Sequence, residues 1–184
     1  MVKEDRNRTN NTAIVPVLAP DITITEITTQ RAGRNQIITA RVANEGVLTA
    51  ENFEVTLRLN DSNGPVLDGY HIFEIVPGAY HDVSVTLSTL PVGVVTVYIT
   101  LDKTELINEF SEENNARSVR IVNYAPGDFE PDGDVDGVDL GTLAAEWLET
   151  ENLSADIYPA GGDGIVNFLD FAEFAKYWHS SFEP

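Results

Sequence analysis

The sequence predicts a mainly β protein, an immunoglobulin-like sandwich of seven strands, followed by a small α-helical unit in which one acidic loop is used twice. Three observations carry this reading. Between about residues 20 and 123, β-branched and polar residues alternate with the period of two that buries one face of a strand and exposes the other. Turn signals interrupt that alternation at intervals of roughly ten residues, the spacing of a sandwich. Beyond residue 123 the alternation stops, and an acidic loop with an apolar helix pattern behind it appears, then returns thirty-one residues later.

The strands are expected at 21–28, 36–44, 52–60, 69–75, 81–88, 94–102 and 118–123, with turns at 61–64, 77–78 and 91–93, where Asp, Asn, Gly and Pro collect. The inward positions are Ile22, Ile24, Ile38, Ala40, Val42, Val55, Leu57, Leu59, Val83, Val85, Leu87, Val97, Ile99 and Leu101. They supply enough apolar area for a stable core without disulfides, and the chain has no cysteine.

One stretch says more than the fold does. Leu101-Asp102-Lys-Thr-Glu-Leu-Ile107-Asn-Glu109-Phe-Ser-Glu112-Glu-Asn114-Asn115 runs into Ser118-Val119-Arg-Ile121-Val122, and Val42-Ala-Asn44-Glu-Gly46 precedes it. Over about residues 20–123 this resembles the CARDB family, a cell-adhesion-related domain of bacterial surface proteins. The resemblance implies an immunoglobulin-like sandwich with a spacer or adhesion role. Asp5-Arg-Asn-Arg-Thr-Asn10-Asn11-Thr-Ala-Ile14-Val15 can be laid over Glu109 to Val119. Residues 1–19 are therefore expected to be the stub of a preceding repeat, with Pro16 and Pro20 in an extended linker.

In the helical unit, expected at 124–184, Asp128, Glu130, Asp132 and Asp139 stand at positions 1, 3, 5 and 12 of a twelve-residue calcium loop, with Gly133 at position 6 for the sharp turn. Calcium is a hard cation that takes about six to eight oxygens, and four acids in so short a loop repel one another without it. Asp134 at position 7 would give its backbone carbonyl and point its side chain to solvent, and Asp136 at position 9 would act through a water. A solvated acidic turn is the plainer reading. Val135 at position 8 and the apolar helix behind it argue against that.

In the repeat, Leu140 matches Phe171, Leu143 matches Phe174, Ala144 matches Ala175 and Trp147 matches Trp178. Leu140, Leu143 and Trp147 share one helical face, which is expected to pack on Phe171, Phe174 and Trp178 as core. The second loop takes Asp163, Ile165 through its carbonyl, Asn167 and Asp170 at positions 5, 7, 9 and 12. Counting back puts Pro159 and Gly161 where carboxylates belong, so Asp156 is expected to reach in from an enlarged first half, giving a weaker or differently coordinated site. Two calcium ions are expected in all. Upstream, Glu109, Asn114 and Asn115 are read as fasteners of a turn, bonding backbone, in preference to a third calcium site.

Neither loop is a complete helix–loop–helix hand, because Asn123-Tyr-Ala-Pro126-Gly127 cannot form an entering helix, and position 12 is Asp. A duplicated loop with only an exiting helix resembles the type I dockerin family over about residues 126–181. That resemblance implies a calcium-folded module that binds a cohesin domain on another protein, contacting it through positions 10 and 11. Those positions are Gly137, Val138, Phe168 and Leu169 here, in place of the usual hydroxyl pair. They mark a different cohesin, or they are covered by the rest of the chain.

Charge fits a secreted or surface-bound bacterial protein. Thirty acids against eleven basic residues give −19, which disfavours nucleic acid as a partner. Residues 128–184 hold 14 acids and Lys176 alone as a base, so −13 of the charge lies there and −6 upstream. No apolar run approaches the roughly 20 residues that span a bilayer, and the first residues are no signal peptide, so the chain is expected to be an excised piece. His71, His81 and His179 are scattered with no nucleophile motif beside them, which disfavours an enzyme. Three readings remain: an assembly module that docks on a cohesin-type partner, a stalk with a calcium-stabilised end, and an adhesin whose sandwich binds glycan or protein. The first is preferred.

Overall fold

The protein is described by a computed structural model covering residues 18–32, 35–151 and 153–181. Seven strands form two antiparallel sheets: β1 (Ile22–Ala32), β2 (Asn35–Asn44), β3 (Ala50–Leu59), β4 (Val66–Ile75), β5 (Tyr80–Leu87), β6 (Gly93–Leu101) and β7 (Ala116–Asn123). One sheet has the order β1-β2-β5 and the other β4-β3-β6-β7. Every expected strand is present. β1 runs four residues past its expected end, because 28–32 are exposed and follow β2 by backbone pairing to Ala32↔Asn35, which an apolar pattern does not register.

Thirteen of the fourteen expected inward residues are buried, and Leu59, at the end of β3, is half-buried. Ala50, Phe53, Ile72, Ile75, Val95 and Ile121 join them. Phe53 escapes an alternation count for a local reason. Asn52 adopts φ 57°, and Glu51 and Asn52 are both exposed between buried Ala50 and Phe53, so three residues in place of two separate the buried positions, as they do at Ile72 and Ile75 on the paired strand.

Asn44 closes the end of the sandwich. It is fully buried; its Oδ1 accepts the Asp21 and Gly46 amides and its Nδ2 donates to the Leu48 and Ile75 carbonyls. Gly46 beside it allows no side chain: a Cβ there would stand 2.5 Å from the Ala19 oxygen and the Asp21 nitrogen.

Beyond β7 a separate apolar cluster forms from Ala125, Val135, Leu143, Ala155, Ile157, Val166 and Phe174, with Val92 of the β5–β6 connection packed against it. It carries α1 (Gly137–Ala145) and α2 (Phe168–Phe174). Among the described residues no helix is long and apolar enough to cross a membrane. The expected overlay of residues 5–15 on 109–119 lies outside the described residues.

Candidate metal loops after the sandwich

The two acidic loops are built to one hydrogen-bond plan. In the first, Asp128 Oδ2 accepts the Gly133 amide at 3.0 Å, which folds the chain back over the turn where Gly133 holds φ 99°. Asp139 Oδ1 accepts the Phe129 amide at 2.6 Å and Oδ2 the Asp136 amide at 2.9 Å. Asp136 is the N-cap of α1, and Asp139 completes the reciprocal capping box three residues in. Positions 9 and 12 thus start the helix as well as face the loop, a role spacing alone does not distinguish from ligation.

Glu130, Asp136 and Asp139 each bring a carboxylate oxygen within 4.8 Å of the others. Asp128 Oδ1 and Glu130 Oε1 are sealed from solvent without a hydrogen-bond partner. Burial pushes the Asp128 carboxyl above its ordinary range, with Asp139 and Asp132 adding to it; burial followed by Asp139 does the same to Glu130. Asp132 and Asp134 are exposed, and Asp132 Oδ1 accepts the Asp134 amide. Convergent carboxylate oxygens lacking donors are what an oxygen-liganded cation needs.

In the second loop Asp156 takes the place of Asp128. Its oxygens accept the Asp163 and Gly164 amides at 3.0 and 2.7 Å, while Asp170 Oδ1 accepts Ile157 and Tyr158 and Oδ2 accepts Asn167. The offset from Asp156 to Asp170 is three residues longer than from Asp128 to Asp139, and Gly161 and Gly162, at φ 102° and 81°, absorb the insertion. A Cβ on Gly162 would collide with the Asp156 carboxylate. Asn167 caps α2 as Asp136 caps α1, and Asp163 Oδ1 accepts the Ile165 amide as Asp132 accepts Asp134. With Asn at position 9 and Gly161 in place of Glu130, this loop offers fewer carboxylates than the first.

The repeats interlock. Val166 O accepts the Leu148 amide after α1, and Val135 O accepts the His179 amide after α2; both donors sit at φ near 60°. Position 8 of each loop is therefore tied to the exit of the other helix. Leu143 and Phe174 are buried as expected. The expected face-to-face pairing of the aromatics needs correction: Phe171 and Trp178 remain 40% and 39% exposed, and Trp147 meets Phe168 edge-on at 5.1 Å. With helices of nine and seven residues, the faces are too short to cover one another. An open groove of about 410 Å³ remains, lined by Leu140, Leu143, Ala144, Trp147, Phe168 and Phe171. Val138, Phe168 and Leu169 are 63%, 75% and 52% exposed, and Gly137 is exposed beside them, so the described residues do not cover positions 10 and 11. The Glu146 carboxylate, which no motif signalled, clamps the connection by accepting the Ser154 and Ala155 amides.

In the sandwich, the expected backbone fastening holds only for Glu109, whose Oε2 accepts the Ile22 amide at 3.3 Å. The side chains of Asn114 and Asn115 donate instead to Asp21 and Glu112.

The family model described as CARDB matches residues 16–119, more than half of the chain. The chain is similar to the CARDB domain of a Pyrococcus furiosus protein solved in complex with di-metal ions, at 17% identity and a TM-score of 0.52, over 59% of this chain and 96% of that one. It is similar also to a domain of a candidate cell surface protein from Methanosarcina acetivorans, at 20% identity and a TM-score of 0.50, over 57% of this chain and 92% of that one. At these identities the likeness shows the sandwich fold. No curated protein matches the chain.

Proposed function

The chain belongs to the CARDB family, and from that premise we propose that it is a non-catalytic, calcium-dependent interaction module of an extracellular or surface protein. The sandwich, taken as a domain of residues 20–123, serves as spacer or adhesion domain. The segment 124–184 is a dockerin-like domain that holds two calcium ions and docks to a cohesin-type partner.

The observation that carries this reading is the first loop, where Glu130, Asp136 and Asp139 converge and the Asp128 and Glu130 oxygens lack donors. A calcium ion would take Asp128, Glu130, Asp132, the Asp134 carbonyl and Asp139, with Asp136 through a water. In the second loop the donors are Asp156, Asp163, the Ile165 carbonyl, Asn167 and Asp170. What the ion supplies is neutralisation of the carboxylates, which frees the loop to close. The duplicated hydrogen-bond plan supports equivalent roles for the two loops.

The exposure of Val138, Phe168 and Leu169 supports a protein partner, since soluble surfaces rarely leave such residues grouped without a use. Apolar side chains in place of hydroxyls point to a cohesin with an apolar counter-surface. The test is binding to isolated cohesin domains, measured with calcium and with chelator. Calcium-dependent binding that Val138→Asp and Leu169→Asp each weaken about tenfold or more supports the reading. Equal binding in chelator, or none to any cohesin, leaves the stalk reading in its place.

A glycan-binding adhesin is the second reading. It is favoured by exposed aromatic rings on the sandwich: Tyr70, 41% exposed, stacks on His81 at 5.5 Å, and Phe73, 75% exposed, meets His71 edge-on at 4.9 Å.

A further inference from the structure

We propose that the sandwich and the helical unit are energetically coupled through a joint at the β5–β6 connection, which sets Leu90 in one core and Val92 in the other and is held shut by Asn123. Leu90 is 9% exposed and belongs to the sandwich core; Val92, two residues on, packs against the apolar cluster of the helical unit. A single turn is thus anchored in both cores. Asn123, the last residue of β7, grips that turn: its Nδ2 donates to the Leu90 carbonyl at 2.7 Å and to the Pro91 carbonyl at 3.1 Å, while its backbone pairs with Gly93.

The chain leaving β7 gives the two units no slack. Ala125, two residues past Asn123, is fully buried in the cluster of the helical unit, and its carbonyl accepts the amide of Asp128, where the first acidic loop begins. Not one residue from Ile121 to Glu130 is exposed. Units that move independently are joined by exposed linkers that few contacts cross, and this crossing is the opposite case. The other sheet holds the same exit: Gln36 of β2, 6% exposed, donates from Nε2 to the Val122 carbonyl at 3.4 Å, and the Arg31 guanidinium of β1 lies 5.1 Å from the centre of the Tyr124 ring.

Swinging the helical unit away would draw Val92 out of its cluster and break both bonds of Asn123 to the turn. Coupling of this kind is reciprocal, so whatever stabilises the helical unit stabilises the β5–β6 turn by the same factor. It is independent of whether the acidic loops take up a cation. The consequence is mechanical as well: the helical unit is presented in a fixed direction from the sandwich, and a pull on it loads β6 and β7, neighbours in one sheet, together.

The test uses the full chain at one fixed calcium concentration. Asn123→Ala removes both bonds to the turn, and Val92→Ala trims the side chain that enters the second core. They should raise the unfolding constant of the helical unit, read from the emission of Trp147 and Trp178 in urea, about tenfold and about fivefold. Val94→Ala is the control on the same connection, since Val94 is 38% exposed and belongs to neither core; it should leave the emission midpoint in place. In the reverse direction, Phe174→Ala, which dismantles the helical unit, should speed hydrogen exchange at 92–95 and 119–124 about tenfold or more. The Asn44 end of the sandwich should keep its protection in that variant, which separates a loosened joint from a lost sandwich. The proposal is overturned if either Asn123→Ala or Val92→Ala leaves the emission midpoint unmoved, or if exchange at 92–95 is unchanged in Phe174→Ala. An equal shift in Val94→Ala assigns the loss to the strand and overturns the joint as well.

Discussion

Asp170→Ala is expected to destabilise the helical unit by about 3–5 kcal/mol, and Asp139→Ala by about 2–4, because each leaves buried amides without an acceptor. Both side chains are fully buried. Asp170 accepts three backbone amides, from Ile157, Tyr158 and Asn167; Asp139 accepts two, from Phe129 and Asp136. Calcium affinity should rank the other way. The first loop has the fuller carboxylate ladder, so Asp139→Ala should remove the tighter binding event in calorimetry while Asp170→Ala removes the weaker. Denaturant titration in chelator reads the first ranking free of metal. Loss of the tighter event in Asp170→Ala, with Asp139→Ala sparing it, would reverse the assigned order of the two loops.

Phe174→Ala is expected to cost about 3–5 kcal/mol, enough to abolish the helical unit in so small a core. Phe174 is 1% exposed and touches Phe129, Phe171 and Trp178, with ring centroids 6.0, 6.5 and 5.5 Å away. It also lies against Gly127, where a Cβ would stand 2.8 Å from its ring. Phe171→Ala is the control, since a ring left 40% exposed has less to lose, about 1.5 kcal/mol or under. Urea unfolding followed by tryptophan emission compares the two. Equal losses would mean that the helices close on one another more fully than their exposure indicates.

The sandwich was legible because its inward residues repeat at period two, and it was illegible where that period is broken or irrelevant. Phe53 follows Asn52, whose positive φ accompanies a three-residue step from buried Ala50, and 28–32 extend β1 by backbone pairing alone. In the loops, Asp128, Asp139 and Asp170 were legible from spacing, and Asp156 from the carboxylates missing at Pro159 and Gly161. Capping by Asp136 and Asn167 was not, since an N-cap and a loop ligand call for the same residue types at the same place. Trp178 and Phe171 misled for a related reason: identical periodicity in the repeats implied equal burial, but helices this short bury only Phe174 of the second set and leave these two at the surface.

The central claim is that calcium folds the C-terminal unit. Both tryptophans, Trp147 and Trp178, lie in that unit, so thermal melting followed by their emission reports on it alone. Melting in calcium should occur well above melting in chelator, with each site adding about 2.7 kcal/mol at 100 times its dissociation constant. Superimposable melts in calcium and chelator would contradict the claim.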